Sequence, residues 1–435
     1  MTAQSSHGRK VFAHYFTPYP ISIDNQPADS DYYSVHYLKA SGEGGKFAAS
    51  GGLLRDRPLP RKPIDGDYVL ADHRTEIQQA KQGGIDGWTL NLMDVDGINW
   101  KKAESMLRAA DAEGGFSIVP MPDMTTIGWL PPDQMADLVK KVADHPSAHR
   151  LDDGRLMLSP FYADLKNASY WQATIAALEA RGVAVAFMPT FIDWPSDPES
   201  FAKISYGFSM WGGRSPANVH EVYGPRTKAL GLKWMQPVAV QDQRPTAGIY
   251  DESVNLATLR KSWELAIDQG ADYVQMTTWN DYSEGTAFAP SQEHGWAFLD
   301  ASAYYLSKFK TGSTPTITRD SLVLTHRKQP ASAQPTAGQS TLMELRDNSS
   351  RAVDQVEVMA FLTAPGDVTA TVGGRTKTWP APAGVSVHTL PLEMGTVSAS
   401  VSRDGQQTTA VKSDDTVTSS PAVQDLQYVA SSSLR

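Results

Sequence analysis

Residues Tyr273–Pro290 read YVQMTTWNDYSEGTAFAP. The first half has the apolar character of a buried strand, and the second places Trp279, Asn280, Asp281, Tyr282 and Glu284 at that strand's exit. Two carboxylates three residues apart disfavour joint ionisation, so one of them keeps its proton near neutral pH. A proton donor beside a carboxylate is what acetal hydrolysis needs. A bare D-x-x-E in a solvated loop would carry no such message. The strand before it and the flanking Trp279 and Tyr282 set this one apart.

Upstream of this stretch the chain alternates short apolar runs with helical patterns. The runs are Val11–Phe16, Gly87–Leu92, Phe116–Pro122, Leu156–Phe161, Val183–Thr190, Ile204–Met210 and Lys233–Val240, with Tyr273–Trp279 as the eighth. They lack strict alternation, as expected of parallel strands covered on both faces. Glu76–Gln82, Lys101–Ala112, Pro132–Ala143, Tyr170–Ala180 and Ser253–Gln269 carry Ala, Leu and charges at helical spacing. Asp133 and either Asp251 or Ser253 are candidate N-caps. Eight strands alternating with helices predict an α/β fold, a (β/α)8 TIM barrel. A doubly wound sheet is the alternative, but no glycine-rich phosphate fingerprint follows the first strand.

In such a barrel chemistry sits where strands end. Those exits offer His14 and Tyr15, Asn91 and Asp94, Asp123, Tyr162 and Asp164. They continue with Asp193 and Trp194, Trp211, Gln241 and Asp242, and then Trp279, Asn280 and Tyr282. Acids, amides and flat aromatic faces suit the hydroxyls and the apolar C–H face of a sugar. Hence Asp281 and Glu284 are the candidate catalytic pair. The substrate-binding candidates are His14, Tyr15, Asn91, Asp94, Asp123, Asp193, Trp194, Trp211, Gln241, Trp279, Asn280 and Tyr282. The stretch from Thr17 to Asp72 is too long for an ordinary loop and is expected to form one wall of a substrate cleft.

After about Lys310 helical periodicity stops. Ser321–Thr325, Val356–Leu362, Val368–Val372 and Val397–Ser402 alternate and are separated by turn signals, which predicts a small antiparallel β-sandwich. The expected division is a catalytic barrel over 1–311 and an accessory β-sandwich over 312–435. Of the eleven tryptophans only Trp379 falls in the second part, so a structural role is favoured there over a carbohydrate-binding one. The Ser/Thr-rich tail after Lys412 is expected to be partly loose.

A net charge of -9 argues against nucleic acid or an anionic membrane as partner. No apolar run approaches a membrane span, and mean hydropathy is -0.35. A monomer is expected. With no cysteine, disulfides and thiolate chemistry are excluded. No HExxH pattern offers zinc, and Asp94, Asp96 and Asn99 lack calcium-loop spacing, so no metal or cofactor is expected. The opening MTAQSSHGRK lacks the apolar core of a signal peptide. The compartment is then the cytoplasm or, if a leader has been removed, the exterior.

The TTWNDYSEG run resembles the TWNDYGES motif of glycoside hydrolase family 71, the α-1,3-glucanases or mutanases. VFAHYF resembles that family's first strand, GIDGWTLNL its second, PMPDM its SFDM strand end and WMQPVA its seventh strand. The resemblance spans roughly Lys10 to Lys310. It implies a (β/α)8 barrel with an accessory β-domain that hydrolyses α-1,3-glucan with inversion and without metal. It places the paired acids on Asp281 and Glu284, with Glu284 cast as acid and Asp281 as base, and Asp123, Asn91 and His14 holding hydroxyls or water. The chain departs at Ser283, where the family has Gly, and at Gly285-Thr286, where it has Ser-His. That EGT ending is closer to the family 99 endo-α-mannosidases, which leaves another α-linked glycan such as α-mannan as an alternative. A barrel that binds glycan without cleaving it is the reading from a different class.

Overall fold

The structure, a computed structural model, describes residues 8–435, and the question of a leader at residues 1–7 lies outside them. Strands β1 (Lys10–Tyr15), β2 (Gly87–Leu92), β3 (Ser117–Pro122), β4 (Leu156–Leu158), β5 (Val185–Phe187), β6 (Thr190–Phe191), β7 (Gly207–Met210) and β8 (Lys233–Val238) come first. They are followed by a hairpin, β9 (Asp242–Arg244) and β10 (Ile249–Asp251), and by β11 (Tyr273–Met276). Seven of them form one curled parallel sheet in the order β3-β2-β1-β11-β8-β7-β6. β4 and β5 pair in parallel and are joined to its two edges by the bridges Asp123↔Phe161 and Phe161↔Thr190. The fourth and fifth predicted runs are cut short at Pro160 and Pro189, because a proline gives no N–H to a ladder.

Alternation along the strands separates two cores. Phe12, Val119, Met157, Met188, Met235 and Tyr273 pack together inside the curl. Val11, Ala13, Trp88, Leu90, Ile118, Val274 and Met276 face the helices instead. Those helices are α1 (Tyr68–Gln82), α2 (Ile98–Glu113), α3 (Pro132–Ala143), α4 (Ala168–Ala180), α5 (Pro198–Ala202), α6 (Tyr223–Ala229), α7 (Ala257–Asp268) and α8 (Ala297–Thr311). Asp67, Asn167 and Asp197 cap α1, α4 and α5 through their side chains. The expected caps Asp133 and Asp251 are committed elsewhere: Asp133 pairs with Arg181 at 2.9 Å and Asp251 with Arg346 at 2.7 Å. Among the described residues no helix is long and apolar enough to cross a membrane.

The remainder adds β12 (Ser321–His326), β13 (Glu344–Leu345), β14 (Gln355–Leu362), β15 (Gly366–Val372), β16 (Arg375–Ala381), β17 (Gly384–Pro391), β18 (Gly395–Arg403), β19 (Gln406–Val417) and β20 (Val429–Ser432). Two four-stranded sheets, β17-β14-β12-β20 and β16-β15-β18-β19, share one apolar core that includes Leu322, Val358, Val368, Val397 and Val411. The polar tail is not loose. Val411 and Val417 point into that core, and β20 pairs antiparallel with β12.

This C-terminal part grips the β8 exit. β13 pairs in parallel with β10, and Asp425 Oδ1 accepts from Gln243 Nε2 at 2.9 Å. Arg327 is buried, donating to Glu252 Oε2 at 2.7 Å and to the Leu426 carbonyl at 2.9 Å. Tyr428 Oη donates to the other Glu252 oxygen at 2.7 Å. The long excursion from Thr17 to Asp72 is tied in as well, Arg55 donating to the Gln424 carbonyl at 2.8 Å. Truncating one partner of a buried pair strands the other charge, which costs about 3–5 kcal/mol. Arg327→Met should therefore lower unfolding stability by about that amount in guanidinium titration, and a loss under about 1 kcal/mol would contradict the pairing.

Candidate active site

The loop after β11 is built from its own side chains. Trp279 N donates to the His14 carbonyl at 2.7 Å, which holds the β11 exit against the β1 exit. Asn280 locks the same junction, accepting from Phe16 N at 2.8 Å and donating to the Phe16 and Tyr19 carbonyls at 2.9 and 2.8 Å. Thr278 and Thr286 close the base of the loop through their hydroxyls, 2.9 Å apart. Gly285 has φ +63°, and a Cβ there would stand 2.9 Å from Gln243 Cγ, so the loop needs glycine at that point.

Inside this frame Asp281 is 7% exposed. One of its oxygens, Oδ1, accepts from Ser283 Oγ at 2.6 Å, Ser283 N at 3.0 Å and Glu284 N at 3.2 Å. Glu284 is half-buried and faces Arg244, whose Nη1 and Nη2 lie 2.7 and 3.0 Å from its two oxygens. Arg244 also donates to both oxygens of Asp242, at 2.9 and 2.6 Å. Arg214 is buried nearby, donating to the Trp211 and Gly212 carbonyls at 3.0 Å each, with Nε and Nη2 unpartnered. Burial and the neighbouring Asp281 push the Glu284 carboxyl up to about 8, against the pull of Arg244. Burial also raises Asp281, with Ser283 and Arg244 opposing it. Two guanidinium groups thus face three carboxylates. The cluster is neutral when those carboxylates hold one proton between them.

Several expected residues gather at the same ends of the strands. His14 lies inside the curl, its Nδ1 3.1 Å from Met121 Sδ and its ring edge-on to Trp211 at 4.8 Å. Burial, with Arg214 adding to it, lowers His14 to about 3, so its imidazole is neutral. Asp123 accepts from Thr125 Oγ1 at 2.6 Å and from Asn91 Nδ2 at 3.2 Å, and Asn91 Oδ1 has no partner.

The others are drawn away from ligand by packing. Tyr15 faces the helix layer, where its hydroxyl donates to the buried Glu76 at 2.8 Å. Trp279 is buried on the same side against Trp88, ring centroids 4.8 Å apart. Tyr282 is buried with Tyr19, Tyr33 and Leu54. Asn280 spends its amide on the backbone of β1's exit, as described. Gln241 accepts from Tyr428 N at 2.8 Å. Asp94 holds the start of α2, accepting from Asn99 N and Trp100 N at 3.2 and 2.6 Å. Trp194 sits under Arg226 at 4.1 Å and joins the helix-side core, and Asp193 beside it is exposed. Arg244, Arg214, Ser283 and Tyr19 were not foreseen. The signal for Arg244 was its place two residues beyond Asp242 at a strand exit.

A cavity of about 660 Å³ opens at the opposite end of the strands, by Lys10, Lys233 and Asp272. Of its three acids, Asp152, Asp153 and Asp272, the last two are paired with Arg155 and Lys233 at 2.7 and 2.9 Å.

A curled parallel sheet with two neighbouring carboxylates at a strand exit suits acetal hydrolysis. The sequence matches the family model described as Glycosyl hydrolase family 71 over residues 63–430. The chain belongs to that family and is a glycoside hydrolase. The match runs through the C-terminal sheets, well past Lys310. A mutanase of Penicillium rubens is 25% identical over 367 residues, covering 78% of this chain and 80% of the relative. A glucan endo-1,3-alpha-glucosidase of Schizosaccharomyces pombe is 25% identical over 376 residues, covering 78% and 85%. Among solved structures, a GH99 endo-alpha-mannosidase from Bacteroides thetaiotaomicron superposes with TM-score 0.53 at 14% identity, covering 71% of this chain and 98% of that one, a likeness of fold.

The placement of Asp94 is testable. Asp94→Ala should cost about 1 kcal/mol of stability, as loss of a helix cap does, and leave kcat/KM on glucan unchanged. A tenfold rise in KM with stability intact would return Asp94 to the substrate.

Proposed function

We propose that this chain hydrolyses α-1,3-glucan with inversion, in a cleft at the C-terminal ends of the strands. The neighbouring acids Asp281 and Glu284 carry this reading, and the names of the two fungal relatives support the choice of glucan. The fold it assumes is a (β/α)8 barrel over 1–311 with β4 and β5 completing the ring, followed by a β-sandwich over 312–435.

Asp281 is cast as base because three donors already stabilise its carboxylate. Glu284 is cast as acid because burial beside Asp281 keeps a proton on it. Glu284 gives that proton to the glycosidic oxygen as the C–O bond breaks, and the bonding electrons stay with the leaving sugar. Asp281 takes a proton from the water whose oxygen bonds to the anomeric carbon. His14, Asn91, Asp123 and Trp211 bind hydroxyls and the sugar face, and Tyr19 with Tyr37 lines the wall formed by the excursion.

An acid must be protonated to work. With Glu284 at about 8, kcat/KM should hold through neutrality and fall above about pH 8. Glu284→Gln and Asp281→Asn should each cost about 10²–10⁴-fold in kcat. The assay is reducing-end release from α-1,3-glucan, with α-mannan and α-1,4-glucan beside it. Proton NMR of the first product should show the β-anomer. Full activity in Glu284→Gln would overturn the assignment, and cleavage of α-mannan alone would overturn the substrate.

A further inference from the structure

Among the described residues Arg244 is the one cation that hydrogen-bonds to the acid pair, through Glu284, and the fold fixes it in place. It stands on β9, a hairpin strand outside the parallel sheet, and Gln243 N on the same strand donates to the Glu284 carbonyl at 2.8 Å. The hairpin is held from behind by the C-terminal part: β13 extends it, and Arg346 reaches Asp251 at 2.7 Å and Asp242 at 3.6 Å. Asp242 is 2% exposed and spends both oxygens on Arg244, which fixes the guanidinium plane. In that plane the remaining N–H groups meet both oxygens of Glu284.

We propose that Arg244 and Asp242 are positioning residues for the acid pair: Arg244 fixes Glu284 in a two-point grip and balances the charge Glu284 bears once its proton has gone to the leaving oxygen, while Asp242 cancels enough of Arg244's charge for Glu284 to be reprotonated. This deepens the proposed function and rests on Glu284 as the acid. A cation alone at 2.7 Å would hold Glu284 as a carboxylate, unable to donate. A carboxylate pair alone would leave the spent acid unstabilised. One guanidinium shared between two acids lies between these extremes.

The groups facing Glu284 come from four elements. Asp281 is on its own loop, and Asp242 and Arg244 are on β9. Arg214 follows β7, and Tyr19 comes from the excursion, its hydroxyl pushed up by burial and by Asp281 and Glu284. His14 is neutral and adds no charge.

The test is the pH profile of kcat/KM on α-1,3-glucan oligosaccharides, because a merely structural pair would lower rates without moving the profile. Arg244→Gln removes the favourable charge, so the alkaline limb should move up by about one pH unit. Asp242→Asn removes the opposing charge, so the limb should move down by a similar amount. Arg244→Lys keeps the charge without the fork and should hold the limb while lowering kcat. Should Arg244→Gln fail to fold, the double variant Arg244→Gln/Asp242→Asn leaves no stranded charge and should place the limb between the two. Limbs that stay put in all folded variants, or move the same way in both single variants, overturn the inference. Glu284→Gln in the same series separates the two readings: if it stays active the acid assignment has failed, and if it is inactive with unmoved limbs only this inference has.

Discussion

Three carboxylates and two guanidinium groups are packed together where β8 and β11 end, and that arrangement constrains much of what surrounds it. Burying so much charge is tolerable only if the sum is near zero. Asp242 and Glu284 share Arg244, Asp281 is satisfied by Ser283 and the Glu284 amide, and one proton closes the balance. The same geometry, through burial and the neighbouring Asp281, pushes the Glu284 carboxyl up.

Such a cluster needs rigid backbone on every side. The Asn280 amide and the Trp279 N–H bind the loop to the β1 exit, and the two threonine hydroxyls close its base. The C-terminal sheets take part through a different route. β13, Arg346, Asp425 and Tyr428 hold the hairpin from which Arg244 projects, and Arg327 with Glu252 anchors that grip in a fully buried pair. Trp379 is stacked on His388 at 4.1 Å within this part. The family match runs through this part to residue 430.

Which expectations held depended on how local the physics was. The eight apolar runs and five of the eight helices were legible because burial on two faces imposes composition directly, whereas α5, α6 and α8 were not foreseen. The closeness of Asp281 and Glu284 was legible because both lie on one loop. The aromatic and amide ring was only partly so. His14, Asn91, Asp123 and Trp211 gather at the strand ends, whereas Tyr15, Trp279 and Tyr282 are buried away from it. A residue at a strand exit can face the mouth or the helix layer, and one step in register decides between them. Polar exits are also claimed for structure: Asp94 starts α2, Asn280 ties two strand ends together and Gln241 binds the C-terminal segment.

By itself the sequence determined the α/β alternation, the change to antiparallel sheets after Lys310, and the placing of Asp281 and Glu284 on one loop. Each of these is written in the spacing of neighbouring residues. Only the tertiary structure decided which carboxylate meets a cation. Arg244 lies 40 positions before Glu284, and Arg346, which steadies the Asp242 side of the pair, lies 62 beyond it. Whether a buried acid keeps its proton depends on charges within a few ångströms, and those distances are set by the packing of segments far apart in the chain.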